Sequence, residues 1–291
     1  MYKQTLTSLV IIIMLLGSIL APTAHAETRY TDINEEKYAW AMQSINFMDD
    51  NDILKGYPDG TFRPEGTVTK AEFTVMVYRL FDKYRPNLKA TGYEKILGYP
   101  DVPKNYWAYK EISAIYDYTF NWGGAISVND SGKFIFKPEA RITRLSLTNM
   151  LYSFFDQELI TEMSGDEKFK SLKGLKDIPV KQFTNEKDFE QYRSTDGRYS
   201  ASTGAATNTN EKVFPILFNV EKDGVRYMND DVSSVQASAI ASMQSQGIIT
   251  ANANGYFRPL APITRAEMVT ILDRIYLLLD KKEVLQKYST K

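Results

Sequence analysis

Residues 62–72 read FRPEGTVTKAE, and the same pattern returns as FKPEARITRLS at 136–146 and as FRPLAPITRAE at 257–267. In each stretch an aromatic residue, a basic residue and a proline come first, and a threonine follows five residues after the proline. Such self-similarity predicts a repeat protein, in which units that cannot bury their own apolar face share one core. We call the three units copy one, copy two and copy three.

The threonine of each copy predicts the start of a helix. A threonine at this place accepts a hydrogen bond from an otherwise unpaired N–H group in the first turn, and the three are Thr69, Thr143 and Thr264. Glu72 and Glu267 stand at the third helical position and complete capping boxes, whereas Ser146 is a weaker partner in copy two. An apolar residue before each cap and another at the fourth helical position form a hydrophobic staple.

A second helix is predicted before each of these stretches. Apolar residues recur there at helical spacing. Trp40 and Trp107 head this helix in copies one and two, while Val235 takes that place in copy three. A turn such as Asp59-Gly60 then leads to the aromatic triplet. The unit is therefore predicted as a helix, a turn with a short extended piece, and a capped helix.

This unit resembles the S-layer homology repeat. The motifs that carry the resemblance are Tyr57–Pro64 in copy one, Asp101–Ile112 at the opening of copy two and Ile263–Glu267 in copy three. The resemblance implies a mainly α fold in which three helix-turn-helix repeats form a pseudo-threefold unit. It also implies binding to a secondary cell-wall polysaccharide, often one that carries pyruvate.

The boundaries of the repeats follow from the register and are expected at 27–84, 99–156 and 175–280, the last one interrupted at about 184–228. Within this insertion, Asp223-Gly224 between two apolar stretches predicts a β-hairpin, and the small polar residues of 194–210 are typical of a loop. The connections at 82–98 and 157–174 show no strong periodicity and are predicted to be linkers. The insertion is interpreted as a decoration of the repeats, with a protein partner of unknown identity as the alternative.

Residues 1–26 are predicted to be a cleaved signal peptide. Lys3 is followed by an apolar run over Leu9–Leu20 and by the small-x-small pattern Ala24-His25-Ala26. The apolar run is short for a membrane span, and an uncleaved anchor is the alternative. The protein is therefore expected to be secreted and to stay at the cell wall or cell surface, with no membrane contact after cleavage.

The composition excludes several classes of function. The chain has no cysteine and a single histidine, His25, which lies inside the predicted signal peptide. A mature chain without these residues cannot build a Ser-His-Asp triad, a cysteine nucleophile or an ordinary zinc site. A net charge of −1 gives no basic excess for nucleic acid. No cofactor or metal is expected, because the acidic run Asp49–Asp52 lacks the spacing of a calcium loop.

We therefore expect a binding module and not an enzyme, with two alternatives left open. One is a surface carbohydrate-active enzyme that uses two carboxylates of the insertion, which would have to stand roughly 5–10 Å apart. Its candidates are Glu186, Asp188, Glu190 and Asp196. The other is a structural protein that assembles by itself into a surface layer.

Cations at the first position of the capped helices are candidate ligand contacts: Lys70, Arg144 and Arg265. A helix N-terminus presents free N–H groups and partial positive charge, which disfavours a cation and attracts an anion. The three cations are therefore predicted to offset bound negative groups, and an arginine binds a carboxylate through two parallel hydrogen bonds. Replacing either arginine is then expected to weaken binding without loss of stability. The alternative is three solvated surface cations.

Trp40 and Trp107 complete the candidate site. An indole stacks on a sugar ring, although a tryptophan at the head of an amphipathic helix also serves as core or as the wall of a groove. These two residues and the three cations are the predicted contacts to the polysaccharide.

Overall fold

The computed structural model describes residues 29–89, 98–115, 127–129, 131–195 and 212–291. The predicted signal peptide, Asp196 and most of the predicted loop at 194–210 lie outside these ranges. The described part of the chain is rich in α-helix and carries two small sheets, in agreement with the predicted mainly α class.

Two kinds of helix recur in the copies. The leading helices, which precede the aromatic triplets, are α1 (Ala39–Asp50), α4 (Tyr109–Ile115) and α8 (Asp231–Ser245). The capped helices are α2 (Lys70–Leu80), α5 (Arg144–Tyr152) and α9 (Arg265–Lys281). Other described helices are α3 (Pro86–Lys89), α6 (Gly165–Lys173) and α7 (Glu186–Thr195), with 3-10 turns at Phe155–Gln157 and Leu285–Lys287.

The predicted helix caps are confirmed in all three copies. Each threonine hydroxyl accepts a hydrogen bond from the N–H group of the third helical residue, at 3.1 Å in copy one and 3.2 Å in copies two and three. The side chains of Glu72, Ser146 and Glu267 complete the boxes by accepting from the threonine N–H group. Ser146 is therefore a full partner. A cap of this kind stabilises a helix by about 1 kcal/mol.

Backbone hydrogen bonds join the copies in a closed ring. The N–H group of Val68 donates to the carbonyl oxygen of Ile263 at 2.9 Å, Ile263 donates to Ile142 at 2.9 Å, and Ile142 donates to Val68 at 3.1 Å. All three side chains are fully buried. The residues that the sequence assigns to local staples thus also connect each copy with the other two.

Each leading helix packs against the capped helix of another copy. α1 packs on α9, α4 on α2 and α8 on α5, so that the leading helix of every copy contacts the capped helix of a different copy. Ser44 on α1 donates a hydrogen bond of 2.7 Å to Asp273 on α9, and both side chains are buried. A helix pair of this kind buries its apolar stripes only when both copies are present.

A carboxylate at the opening of each copy holds its turn. Asp32 accepts hydrogen bonds of 2.7 Å from the N–H groups of Phe62 and Arg63, and Asp101 and Asp177 make the same pair of bonds at 2.6–2.9 Å. The basic residue of each triplet has a left-handed conformation, with φ between 54° and 59°. The two charge-assisted hydrogen bonds stabilise this unfavourable backbone geometry. Asp177 therefore begins copy three, although it lies far before α8 in the sequence.

The insertion is more elaborate than the predicted hairpin and loop. In copy two, β1 (Ser127–Val128) pairs with β2 (Phe134–Ile135). The other described strands are β3 (Val180–Phe183), directly before the insertion, and β4 (Ile216–Val220) and β5 (Arg226–Tyr227) within it. β4 pairs antiparallel with β5, and Gly224 between them has a φ of 86°, which confirms the hairpin. β3 lies parallel to β4, and α7 buries Phe189 beside this sheet. The sequence predicts neither β3 nor α7.

The prediction of a plain linker at 157–174 is wrong, because this segment contains α6. Ser164 and Glu167 form a capping box at its start. Phe169 and Leu172 bury its apolar side. Two apolar anchors among mixed charges are too few to show a helical period in the sequence.

Aromatic side chains bring together the segments that follow the capped helices. Phe81 follows α2, Phe155 follows α5 and Tyr288 follows α9. The ring centroids of Phe81 and Phe155 lie 4.6 Å apart, and those of Phe155 and Tyr288 lie 5.3 Å apart. The hydroxyl group of Tyr288 also lies 2.8 Å from the carboxylate of Asp156. The copies therefore share a core at both ends of their capped helices.

Candidate functional site

The three predicted cations are buried between copies. Lys70 and Arg144 are each 8% exposed and Arg265 is 4% exposed. Each donates a hydrogen bond to the carbonyl oxygen of the aromatic residue that begins the triplet of another copy. The Nε atom of Arg144 lies 2.7 Å from the oxygen of Phe257, that of Arg265 lies 2.8 Å from the oxygen of Phe62, and Lys70 bonds to the oxygen of Phe136.

Further contacts fix these cations. Each one lies over the ring of the same aromatic residue, at 4.4 Å for Lys70, 5.4 Å for Arg144 and 4.9 Å for Arg265. The Nη2 atom of Arg144 donates to the carbonyl oxygen of Thr250 at 2.8 Å. The Nη2 atom of Arg265 donates to the backbone carbonyl oxygen of Lys55 at 3.1 Å. Burial lowers the pKa of both guanidinium groups and lowers the pKa of the Lys70 ammonium to about 7.

The expectation of free helix N-termini at these cations is wrong. The N–H groups of Lys70, Arg144 and Arg265 donate to carbonyl oxygens of another copy at 3.0, 3.0 and 2.7 Å, and the N–H group of the next residue in each helix does the same. With the third N–H group taken by the capping threonine, the first turn has no donors left for an anion. The carbonyl oxygens also explain why a cation is tolerated at a helix start, because they surround it with negative partial charge.

The two tryptophans stand in solvent. Trp40 is 51% exposed and Trp107 is 59% exposed, so neither belongs to the core. An exposed indole presents its apolar ring face to solvent, where a ligand can reach it. Val235, at the corresponding place in copy three, is only partly exposed.

Trp40 and Arg144 line the same cavity, which we call groove A. Its volume is about 180 Å³. Copy one supplies Trp40 and copy two supplies Arg144, while the floor comes from copy three: Ile248, Ile249, Thr250, Glu267, Thr270, Ile271 and Arg274. Groove A therefore exists only when the copies are assembled, and it joins two of the five predicted contacts.

Groove A has a positive balance of charge. The Nη1 atom of Arg144 lies 3.4 Å from the carboxylate of Glu267, and that of Arg258 lies 3.8 Å from it. Arg274 is exposed and uses one nitrogen to donate to the carbonyl oxygen of Ile248 at 3.2 Å. Several guanidinium groups thus surround one carboxylate, which leaves net positive charge beside the exposed indole.

The register predicts two related grooves in the other copies, although residues 120–122, the copy-two counterparts of Ile248–Thr250, lie outside the described residues. In groove B, on copy one, Arg265 takes the place of Arg144 and Trp107 that of Trp40. Arg79 repeats the contact of Arg274, because it donates to the carbonyl oxygen of Ile53 at 3.2 Å. In groove C, on copy two, Lys70 is the corresponding cation.

Arg274 and Arg79 are the functional candidates that the sequence reasoning missed. Both stand ten residues after a capping threonine, and in copy two Ser153 takes this place. The register alone could therefore have found them. They escape notice because an arginine in the middle of an amphipathic helix is usually an ordinary surface cation.

Three of the four carboxylates considered for hydrolysis lie among the described residues, and the fourth, Asp196, lies outside them. Glu186, Asp188 and Glu190 lie on the exposed side of α7, and Glu186 accepts a hydrogen bond from the Asn229 amide at 3.2 Å. The described part of the chain holds no group of three acidic side chains arranged for a metal ion. Its helices are also too short or too polar to cross a membrane.

Comparison with known proteins agrees with the sequence motifs. The S-layer homology domain family matches residues 29–74 and 230–269. An endoglucanase of Bacillus sp. (strain KSM-635) is 27% identical over 85% of this chain and 26% of its own length. A cellulosome-anchoring protein of Acetivibrio thermocellus is 34% identical over 28% of this chain and 17% of its own length. An S-layer protein of Bacillus licheniformis is 26% identical over 60% of this chain and 18% of its own length. The chain thus spans about a quarter or less of these relatives.

Proposed function

We propose that this chain, which carries S-layer homology domains at residues 29–74 and 230–269, attaches a secreted surface protein to the cell wall by binding a cell-wall polysaccharide without covalent linkage or catalysis. The names of its relatives support a location at the cell surface, since they include an S-layer protein and a cellulosome-anchoring protein. The similarity to an endoglucanase is compatible with anchoring, because it covers only 26% of that enzyme.

The repeats at 27–84, 99–156 and 175–280 are proposed to form one pseudo-threefold unit, with the insertion at about 184–228 as its decoration. The ring of hydrogen bonds through Val68, Ile142 and Ile263 supports this arrangement. The exchange of leading helices between copies supports it as well. Residues 1–26 are proposed to direct export and to be removed.

The observation that carries the proposal is the composition of groove A. An exposed indole offers a flat apolar surface to the C–H face of a sugar ring, while guanidinium groups bind a carboxylate through paired hydrogen bonds. Trp40 with Arg144 and Arg274 combines both features in one cavity or at its rim. A polysaccharide whose sugars carry carboxylates, such as pyruvate ketals, fits this chemistry.

The five contacts predicted from sequence have different roles in this proposal. Trp40 and Trp107 stack on the sugar. Arg144 and Arg265 place positive charge under the ligand, although their carbonyl bonds hold most of their donors. Lys70 occupies the related place in groove C.

Sedimentation with purified cell walls tests the proposal. The wild-type chain should bind intact walls and lose binding once the polysaccharide has been extracted with acid. The double substitution Trp40→Ala and Arg274→Ala should weaken wall binding, whereas Arg193→Ala, which removes a partly exposed arginine on α7 of the insertion, should not. Equal binding of the chain to intact and extracted walls would show that the polysaccharide is not the ligand.

A further inference from the structure

We infer that residues 285–290, which we call the clasp, form a conformational device that closes the ring of repeats and opens locally while the repeats stay folded. The clasp follows α9 of copy three and lies against the segments that end the capped helices of copies one and two. The inference does not depend on the ligand of groove A, since it concerns the other ends of the capped helices.

A tight turn after α9 directs the clasp back onto the other copies. Glu283 has a φ of 59°, a left-handed conformation that is unfavourable for a residue with a side chain. Its N–H group donates to the carbonyl oxygen of Asp280 at 2.8 Å. The N–H group of Val284 donates to the carbonyl oxygen of Leu279 at 3.0 Å, and the two bonds together form a Schellman turn. The clasp is therefore joined to α9 by one turn, and its contacts with copies one and two hold it in place.

Two aspartates at one register position bind the clasp. Asp82 and Asp156 both stand thirteen residues after a capping threonine, in copies one and two. Asp82 accepts a hydrogen bond from the hydroxyl group of Thr290 and another, of 2.8 Å, from its N–H group. The hydroxyl group of Tyr288 lies 2.8 Å from the carboxylate of Asp156. Copy three, which supplies the clasp, has Leu277 at this position, so the carboxylates occur only in the two copies that receive it.

Backbone groups of copy one also bind the clasp. The hydroxyl group of Ser289 donates at 2.7 Å to the carbonyl oxygen of Leu80. Leu80 is the last residue of α2, where a carbonyl oxygen has no partner inside the helix. The N–H group of Lys83 donates to the carbonyl oxygen of Tyr288 at 3.0 Å, and its ammonium group donates to that of Gln286 at 2.8 Å. The clasp thus supplies a donor to the end of α2 and accepts two bonds from the segment after it.

The clasp also covers a strained turn of copy two. Phe155, Asp156 and Gln157 all have left-handed conformations, with φ of 57°, 50° and 68°. A run of this kind without glycine is unfavourable and persists only where the surrounding contacts hold it. The hydroxyl group of Tyr288 lies 3.0 Å from the carbonyl oxygen of Phe155, and the two ring centroids lie 5.3 Å apart. Because release of the clasp lets this turn relax, the strain favours the open state.

The clasp buries little compared with the repeats that it joins. Its buried residues are Leu285, Tyr288 and Ser289. The leading and capped helices pair with each other through contacts that do not include the clasp. Segments with few buried apolar contacts open at a lower free energy than the whole protein. The clasp is therefore expected to open first, with the paired helices still in place.

Hydrogen exchange of single amides in the full chain tests the inference. The reporter is the N–H group of Lys83, whose acceptor belongs to the clasp, and the reference is the N–H group of Ile271 in α9. In wild type the Lys83 amide should exchange at least about 10-fold faster than the Ile271 amide and depend less on added urea, because local opening exposes little surface. Equal rates with equal urea dependence would overturn the inference, and so would exchange of Lys83 at the rate of an unstructured peptide.

Substitutions that remove one hydroxyl group of the clasp test its contacts. Tyr288→Phe and Thr290→Val should each accelerate exchange at Lys83 by roughly 10- to 100-fold, which corresponds to the loss of a charge-assisted hydrogen bond. Both variants should keep a cooperative thermal transition. Should Tyr288→Phe fail to fold, Thr290→Val carries the test, because the side chain of Thr290 is exposed.

The matched controls are Tyr256→Phe and Leu277→Ala. Tyr256 is an exposed tyrosine of copy three, and Leu277 takes the register position of the two aspartates. Both controls should leave the exchange rate of Lys83 unchanged. An unchanged rate in the clasp variants, or an equal acceleration in the controls, would overturn the inference.

Discussion

The Nε atom of Arg144 lies 2.7 Å from the carbonyl oxygen of Phe257, so that a cation of copy two is held by the backbone of copy three. Arg265 makes the same contact with Phe62, and Lys70 with Phe136. A basic residue at one register position thus connects the copies in a cycle. These cations join the assembled repeats, and Arg144 also lines groove A.

Arg144→Ala is expected to destabilise the protein. It removes the donor to the carbonyl oxygen of the buried residue Phe257 and a second bond to the carbonyl oxygen of Thr250, at a cost of about 1–3 kcal/mol in the free energy of unfolding. From the sequence alone no loss of stability is predicted, because a cation at the first helical position interacts unfavourably with the helix dipole. Urea unfolding measures the difference, and a midpoint equal to that of wild type would show that the carbonyl contacts contribute nothing.

Arg274→Ala is expected to weaken binding while stability remains within about 0.5 kcal/mol, since the side chain is exposed. Loss of a charge-assisted hydrogen bond worth about 1.5–3 kcal/mol lowers the affinity of groove A by roughly 10- to 100-fold. Arg193→Ala on α7 is the matched control, and titration with a methyl hexopyranoside that bears a pyruvate ketal is the measurement. An affinity of groove A unchanged by Arg274→Ala contradicts a direct contact.

Lys70 should make the stability depend on pH. Burial holds its folded pKa at about 7, while a lysine in the unfolded chain has a pKa of about 10.4. Between these values the unfolded chain binds a proton that the folded protein does not, so stability rises with pH across this window. The cost of burying the charge is complete below pH 7.

The control for this effect is Lys70→Met, which cannot titrate. The difference in unfolding free energy between wild type and this variant should shift in favour of wild type from about pH 7 to about pH 10, as the penalty on the charged amine disappears. Urea midpoints at three pH values suffice. A difference that stays constant would mean that Lys70 keeps an ordinary pKa in the folded protein.

Gly165→Ala should disrupt the contact between α6 and the sheet of the insertion. An added Cβ atom would lie 1.8 Å from the carbonyl oxygen of Arg226, so the backbone must move. Overpacking of this kind costs about 1–3 kcal/mol. Gly174→Ala is the matched control, because nothing lies within 4 Å of its added Cβ atom. Thermal melting compares the two, and equal melting temperatures would contradict the packing described for α6.

A fragment of residues 27–90 should not fold cooperatively. Its α1 packs on α9 of copy three, and its α2 packs on α4 of copy two. Isolation therefore exposes the apolar sides of both helices. Circular dichroism of the fragment should show no sigmoidal thermal transition. A sharp transition would mean that one copy is a folding unit by itself.

Short-range patterns allowed much of the fold to be predicted from the sequence. The capping boxes at Thr69, Thr143 and Thr264 and the hairpin at Gly224 depend on residues within a few positions of each other, and they are confirmed. The aromatic triplets identify the repeat because every copy must present the same residues to its neighbours. α6 and β3 were not predictable, because each buries too few side chains to leave a period.

The sequence by itself determined the repeat, its helices and the residue types that carry charge and aromatic surface. Only the tertiary structure decided where these side chains point. Arg144 and Arg265 follow a threonine cap, which predicts exposure at a helix start, yet the turn of another copy covers them. Trp40 heads a helix whose other side is buried, yet its ring faces solvent beside Arg274. The reason is that burial at these positions depends on contacts between copies, and residues more than a hundred positions apart in the chain supply them.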